Sequence, residues 1–111
     1  MFERVGGRLL NVASFGTADP AVLFIGGWVG TWQVWRQVIE LVSPSRRCAS
    51  YDHRGAGQSP APVESLHPDG LVDDVFGVMD ALAIDRCVLV GESQGGFVAA
   101  MAVLRDPTRF L

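Results

Sequence analysis

The chain has 111 residues, a net charge of −3, and 49% hydrophobic against 19% charged residues. This length suits one small domain with a core of its own, and an acidic chain without a basic stripe argues against a nucleic-acid partner. No segment reaches the roughly 20 apolar residues of a membrane-spanning helix, so we expect no membrane partner either.

The first predicted elements are strands. Residues 4–15 read as one or two strands, with a hairpin turn at Gly6-Gly7. Ala21–Ile25 is a continuous apolar run. Because this run is too short for a helix, it predicts a fully buried strand.

A glycine-rich loop, residues 26–31, follows that strand directly. Its composition leaves two interpretations open: a flexible connector, or a backbone arrangement that serves chemistry. Trp28 in this loop either packs in the core or walls an apolar substrate pocket. Thr31 can cap the next helix, whose predicted buried face consists of Trp35, Val38, Ile39 and Val42.

Residues 47–51 are the next candidate strand, and they run into a polar turn, residues 52–59, of sequence Asp-His-Arg-Gly-Ala-Gly-Gln-Ser. We expect Asp52, Arg54 and Ser59 to hydrogen-bond within this turn. The alternative is a phosphate cradle, but the G-x-x-x-x-G-K-[ST] pattern is missing. His53 is a second alternative, as a general base.

An amphipathic helix is predicted over residues 71–82, after a proline-punctuated loop that leaves His67 in solvent. Asp69, Asp73 and Asp74 lie at or near its start, where negative charge suits the helix dipole. We interpret them as a solvated helix start rather than a metal site.

The most informative stretch is residues 87–104, where an apolar run, a turn rich in glycine and an apolar segment of helix-forming composition follow one another. Strand, tight turn and buried helix are the setting of the G-x-S-x-G nucleophile elbow, with Ser93 at its apex. Gly91 and Gly95 flank the serine because a Cβ there would collide with the neighbouring strand and helix. A glycine-rich turn without chemistry is the alternative.

These motifs resemble those of the α/β-hydrolase superfamily, and the polar turn is similar to the D-x-R-G-x-G-x-S loop of many members. The resemblance implies an α/β fold: a mostly parallel sheet with flanking helices, the N-terminal half of the hydrolase fold. It implies that Ser93 is the catalytic nucleophile and that the backbone amides of Trp28 and Gln94 form the oxyanion hole. Gly27 matches the glycine of the oxyanion loop, whereas Gly26 stands where the family usually has a histidine that fixes the shape of the loop.

The function implied is hydrolysis of an ester, lactone, thioester or carbon–carbon bond in a small molecule, without metal or cofactor. The family's epoxide hydrolases and dehalogenases use an aspartate nucleophile, so Ser93 favours the other reactions. The triad acid and histidine follow the serine in this superfamily. This order disfavours His53 as the base and places both partners beyond residue 111. Residues 1–111 are then an incomplete core, which a missing C-terminal part or a second chain would complete.

Two further hypotheses stay open. The chain can be a non-catalytic truncated fragment or an interaction module that retains the elbow, since a serine without a base is a poor nucleophile. A Rossmann-type nucleotide site is disfavoured because Ser93 stands where G-x-G-x-x-G needs its second glycine. Cys48 and Cys87 fit no metal spacing, and as reduced core residues they suit a cytoplasmic protein.

Overall fold

In the computed structural model, which describes residues 1–111, the chain forms five strands that belong to a single sheet. The strands are β1 (Phe2–Val5), β2 (Arg8–Phe15), β3 (Ala21–Ile25), β4 (Cys48–Tyr51) and β5 (Cys87–Gly91). The helices are α1 (Arg36–Val42), α2 (Pro68–Ala81) and α3 (Gln94–Arg105), with short 3-10 turns at Trp32–Trp35, Val63–Ser65 and Pro107–Arg109. None of the helices combines the length and the apolar composition that a membrane crossing needs.

The sheet is mixed, with the strand order β1-β2-β4-β3-β5. The pairs β1–β2 and β2–β4 are antiparallel, whereas β3 pairs in parallel with both β4 and β5. Ile25 and Gly91 are opposite each other in register. Because the carboxyl ends of parallel strands meet at one edge of a sheet, the loop after β3 and the turn after β5 lie side by side.

Both faces of the sheet are covered, as the apolar composition predicts. Successive residues of β3 point to opposite faces: Leu23 and Ile25 belong to a large core beneath α2 and α3, whereas Phe24 joins a smaller cluster with Ile39 of α1. The predicted fold class, α/β with flanking helices, is therefore confirmed, but the sheet is mixed rather than mostly parallel, because β1 and β2 pair antiparallel. The parallel half of the sheet carries the elbow.

The predicted start of the second helix is three residues too late. The helix begins at Pro68, because the His67 imidazole caps it by accepting a hydrogen bond from the Gly70 amide (Nδ1 to N, 3.1 Å). Proline at the first helical position has no amide hydrogen to satisfy, so the cap and Pro68 together define the start. His67 is exposed as expected, but it is the N-cap of α2 and ends the preceding loop.

The apolar faces of the other two helices are less buried than predicted. In α1 only Ile39 is fully buried, and Val38 lies off the contact face. Thr31 precedes the 3-10 turn but makes no side-chain capping bond. Helix α3 buries one side only and leaves Phe97 and Leu104 exposed, because no element within residues 1–111 covers its outer face.

Candidate functional site

Ser93 occupies the corner between β5 and α3, as the elbow motif predicts. Its backbone has φ 54° and ψ −123°, a left-handed conformation that non-glycine residues rarely adopt and that costs about 1–3 kcal/mol. Its carbonyl accepts the first bond of the helix from the Gly96 amide (2.9 Å). The residue is exposed, and its hydroxyl makes no hydrogen bond within the chain.

The glycines around the serine are sites of close backbone approach. A Cβ on Gly91 would overlap the Gly95 carbonyl, and a Cβ on Gly95 would overlap the carbonyl oxygens of Ile25 and Gly26. Helix α3 therefore starts against the end of β3 with no room for a methyl group. The G-x-S-x-G spacing is the sequence signature of this contact.

The loop after β3 lies against the elbow. A Cβ on Gly27 would come within 3.5 Å of the Ser93 Cβ and 2.6 Å of a Glu92 carboxylate oxygen. The Glu92 amide donates to the Ile25 carbonyl (3.2 Å), which ties the turn to the end of β3. Gly27 thus lies against the side chains of Glu92 and Ser93, and a backbone hydrogen bond joins the two segments.

Two backbone amides at this junction are free. Neither the Trp28 nor the Gln94 amide donates a hydrogen bond to any group of the chain. The Gln94 amide is at the first position of α3, where helix amides have no partner in their own helix. Free amides next to an exposed hydroxyl are the groups that an oxyanion hole requires.

The indole of Trp28 is not a core residue; 67% of it is exposed. Three cavities of about 570 to 590 Å³ are present, and neither Trp28 nor Ser93 lines any of them. Ser93 and Trp28 therefore lie on the exposed surface, whereas Gly26 and Gly27 of the loop are buried.

The polar turn after β4 supports the loop, and Asp52 is its centre. The buried Asp52 carboxylate accepts hydrogen bonds from the Trp32 amide (2.9 Å), the Gln58 amide (2.9 Å) and the Asn11 side chain (3.1 Å). Ser59 Oγ accepts from the Asn11 amide (2.8 Å). The expected hydrogen bonding of Asp52 and Ser59 is confirmed: the Ser59 backbone bonds Gly55 and Ala56 within the turn, and its hydroxyl also joins the turn to β2.

Arg54 does not bond the turn, which corrects the prediction. Its guanidinium forms a two-bonded ion pair with Asp74 of α2 (2.8 and 2.7 Å), and both side chains are almost fully buried. The hydrogen bond that Arg54 donates to the Asp74 carboxylate raises the pKa of Arg54. Asp74 is therefore not part of a solvated helix start; it is the buried anchor of α2.

The exposed aspartates of α2 pair with a different arginine. Asp73 forms an ion pair with Arg105 of α3 (2.5 Å), and Asp69 lies 3.9 Å from the same side chain. No group of three or more His, Cys, Asp or Glu residues is arranged to hold a metal ion.

Neither histidine approaches Ser93 as a base. His53 is 3% exposed, and its Nε2 lies 2.7 Å from the Gly26 carbonyl oxygen, while His67 caps α2. Sequence reasoning weighed His53 only as a base and missed this contact, which joins residues 27 positions apart. Asp74 was missed for the same reason, since its partner Arg54 is distant in the chain.

Comparisons with known proteins agree with this architecture. Residues 20–111 match the sequence profile of the family described as alpha/beta hydrolase fold. The chain is 40% identical over 110 residues to an epoxide hydrolase from Caballeronia sordidicola, covering 94% of this chain and 32% of that protein. It is 34% identical over 102 residues to 3-oxoadipate enol-lactonase 2 from Acinetobacter baylyi, covering 91% of this chain and 38% of that protein.

The likeness extends to solved structures. The enol-lactonase from Burkholderia xenovorans superposes with a TM-score of 0.92 at 27% identity, over 99% of this chain and 44% of that structure. The chain spans about a third of the length of the curated relatives it matches. The elbow, the parallel strands that position it and the family match together show that this chain belongs to the α/β-hydrolase fold family.

Proposed function

We propose that Ser93 is the nucleophile of a serine hydrolase that cleaves an ester, lactone, thioester or carbon–carbon bond of a small molecule. The observation that carries the proposal is the elbow itself: an exposed hydroxyl at a left-handed backbone position, next to two free amides. Strain of this kind persists only where the surrounding structure enforces it, and it is concentrated at functional sites.

In the proposed reaction Ser93 Oγ attacks the carbonyl carbon, and a histidine takes the hydroxyl proton. The carbonyl oxygen becomes an oxyanion that the Trp28 and Gln94 amides stabilise. The histidine then gives its proton to the leaving group, and water releases the acyl group by the reverse steps. No metal or redox cofactor takes part in this scheme.

The residue type at position 93 supports acyl chemistry over epoxide opening. Relatives of this chain carry names of both kinds, epoxide hydrolase and enol-lactonase. A carboxylate nucleophile opens an epoxide directly and gives an ester intermediate. A hydroxyl nucleophile that attacks a carbonyl group needs a base and an oxyanion site, and the two free amides suit this second reaction. Ser93 thus favours the lactonase type of reaction for this chain.

We also propose that residues 1–111 are an incomplete hydrolase core. Two observations support this. The chain covers 32% of the length of the epoxide hydrolase that it resembles, and β5 lies at the edge of the sheet. That edge is paired only at its start, where Leu111 donates to the Cys87 carbonyl (3.0 Å) and Phe110 forms a parallel bridge with Cys87. A further parallel strand, from a C-terminal part or a second chain, would continue this pairing and bring the acid and the histidine.

The second candidate is a non-catalytic fragment or interaction module. One observation favours it: both histidines of the chain are engaged elsewhere, so residues 1–111 hold no base for Ser93. Buried, unpaired Cys48 and Cys87 support a reducing, cytoplasmic setting for either candidate.

Turnover of an activated ester tests the proposal. The 111-residue chain alone should be nearly inactive, and the protein completed by the segment or partner that supplies the acid and histidine should turn over the ester. Ser93→Ala in the completed protein should remove about 10³-fold or more of this activity. Full activity of the Ser93→Ala variant would contradict the nucleophile, and an inactive completed protein would favour the interaction module.

A further inference from the structure

The buried imidazole of His53 forms a hydrogen bond with one atom of the glycine-rich loop, the Gly26 carbonyl oxygen. Its Nε2 lies 2.7 Å from the Gly26 carbonyl oxygen. Because a carbonyl oxygen only accepts, Nε2 must carry the proton and donate it. Nδ1, the other ring nitrogen, is buried without a hydrogen-bond partner. The Gly26 carbonyl is therefore the one hydrogen-bond partner of the ring, which also packs edge-on against Tyr51.

The same residue holds the loop at its other end. The His53 backbone amide donates to the Gly30 carbonyl (3.1 Å), and the adjacent Asp52 carboxylate accepts from the Trp32 amide (2.9 Å). Two contacts of His53 therefore bracket residues 27–29, the segment that carries the Trp28 amide.

The loop has few internal interactions that could fix its conformation. Positions 26, 27 and 30 are glycine, and Gly30 N to Gly27 O (2.9 Å) is the one backbone bond within the loop. Glycine loses more conformational freedom on ordering than any other residue, so such a loop needs external restraint. Gly26 itself offers no side chain for that purpose.

We propose that His53 is a positioning residue that sets the Trp28 amide for its role in the oxyanion hole. This inference rests on the proposed serine hydrolase function. Oxyanion stabilisation depends on donors that are in place before the charge develops, and a misplacement of about 1 Å costs on the order of 100-fold in rate. A ring that holds the preceding peptide at 2.7 Å restricts this displacement directly.

The test compares His53→Phe, which keeps a ring but removes the donor, with His53→Gln, whose amide nitrogen reaches the Gly26 carbonyl. In the completed protein, the rate of fluorophosphonate labelling of Ser93 should fall about 10- to 100-fold for His53→Phe. His53→Gln should restore most of it. His67→Ala is the matched control: it removes the other histidine and weakens α2, and it should leave the labelling rate unchanged at temperatures well below unfolding.

A second readout does not depend on activity. The ¹⁵N spectrum of the His53 ring in the wild-type chain should show the proton on Nε2, and His53→Phe should shift the Trp28 amide resonance. The absence of a proton on Nε2, an unmoved Trp28 resonance, or unchanged labelling in a folded His53→Phe variant would each overturn the proposal. If wild-type Ser93 is not labelled while the Trp28 resonance moves, the hydrolase function fails and the holding of the loop stands.

Discussion

At the scale of single residues, Ser93 has a backbone conformation that only glycine adopts without strain. Gly91 and Gly95 on either side leave the turn no space to relax, because both approach neighbouring backbone. The backbone conformation that exposes the Ser93 hydroxyl thus destabilises the turn locally.

Two substitutions of Ser93 isolate the effect of backbone strain, because both remove the hydroxyl and only one of them introduces glycine. Ser93→Gly should be more stable than Ser93→Ala by about 1 kcal/mol, since glycine relieves the strain but gains freedom in the unfolded chain. Urea unfolding of the two variants measures the difference. Equal midpoints would show that the turn is unstrained.

Gly95 and Gly96 are adjacent in α3, but only Gly95 approaches the end of β3 closely, so substitutions at the two positions test this contact with a control. Gly95→Ala should cost about 2–3 kcal/mol, because the new methyl group meets the carbonyls of Ile25 and Gly26. Gly96→Ala has ordinary contact at 3.6 Å and helical backbone, so it should be neutral or stabilise the chain by up to about 1 kcal/mol. A smaller loss for Gly95→Ala than for Gly96→Ala would contradict the packing described here.

Sequence reasoning succeeds for features that a short segment determines. The elbow spacing reports a contact between β5 and the start of α3, so Ser93, Gly91 and Gly95 could be read directly. The roles of His53 and Asp74 depend on partners far along the chain, and no local pattern distinguishes a buried ion-paired aspartate from a solvated one.

At the scale of elements, the buried pair of Arg54 and Asp74 fastens α2 to the turn after β4. Strands β3 and β5 were predicted well because each is a compact apolar run bounded by glycine or polar residues. Helix ends were predicted less well, since the start of α2 depends on the imidazole cap of His67, which composition does not reveal.

Loss of one partner from that pair leaves a buried charge. Asp74→Ala should therefore destabilise the chain by about 3–5 kcal/mol. Glu40→Ala, which breaks the exposed pair with Arg36, should cost no more than about 0.5 kcal/mol. Urea midpoints measure both, and similar losses for the two variants would contradict the burial of the Arg54–Asp74 pair.

At the scale of the whole molecule, the buried thiol and phenol of the sheet predict alkaline sensitivity. Burial raises the pKa of Cys87 from 9.0 to about 11, and it raises that of Tyr51 as well. The unfolded chain loses these protons at lower pH than the folded chain, so the free energy of unfolding should be steady below about pH 9 and fall towards pH 11. Cys87→Ala should show a shallower fall, and an identical pH profile would contradict the assignment.

One patch of uncovered apolar surface lies beside the outer edge of β5. The outer face of α3 carries Phe97 and Leu104, the latter 79% exposed, beside the largely unpaired edge of β5. An apolar helix face next to an open strand edge favours pairing with a further segment. This is the same side on which the proposed acid and histidine would have to arrive.

Fluorophosphonate labelling, with the modified residue mapped by mass spectrometry, directly tests whether Ser93 is the reactive residue. The completed protein should be labelled at Ser93 alone, the 111-residue chain should react far more slowly, and Ser93→Ala should not be labelled. Labelling at another serine, or undiminished labelling of the Ser93→Ala variant, would contradict the assignment of the elbow as the reactive centre.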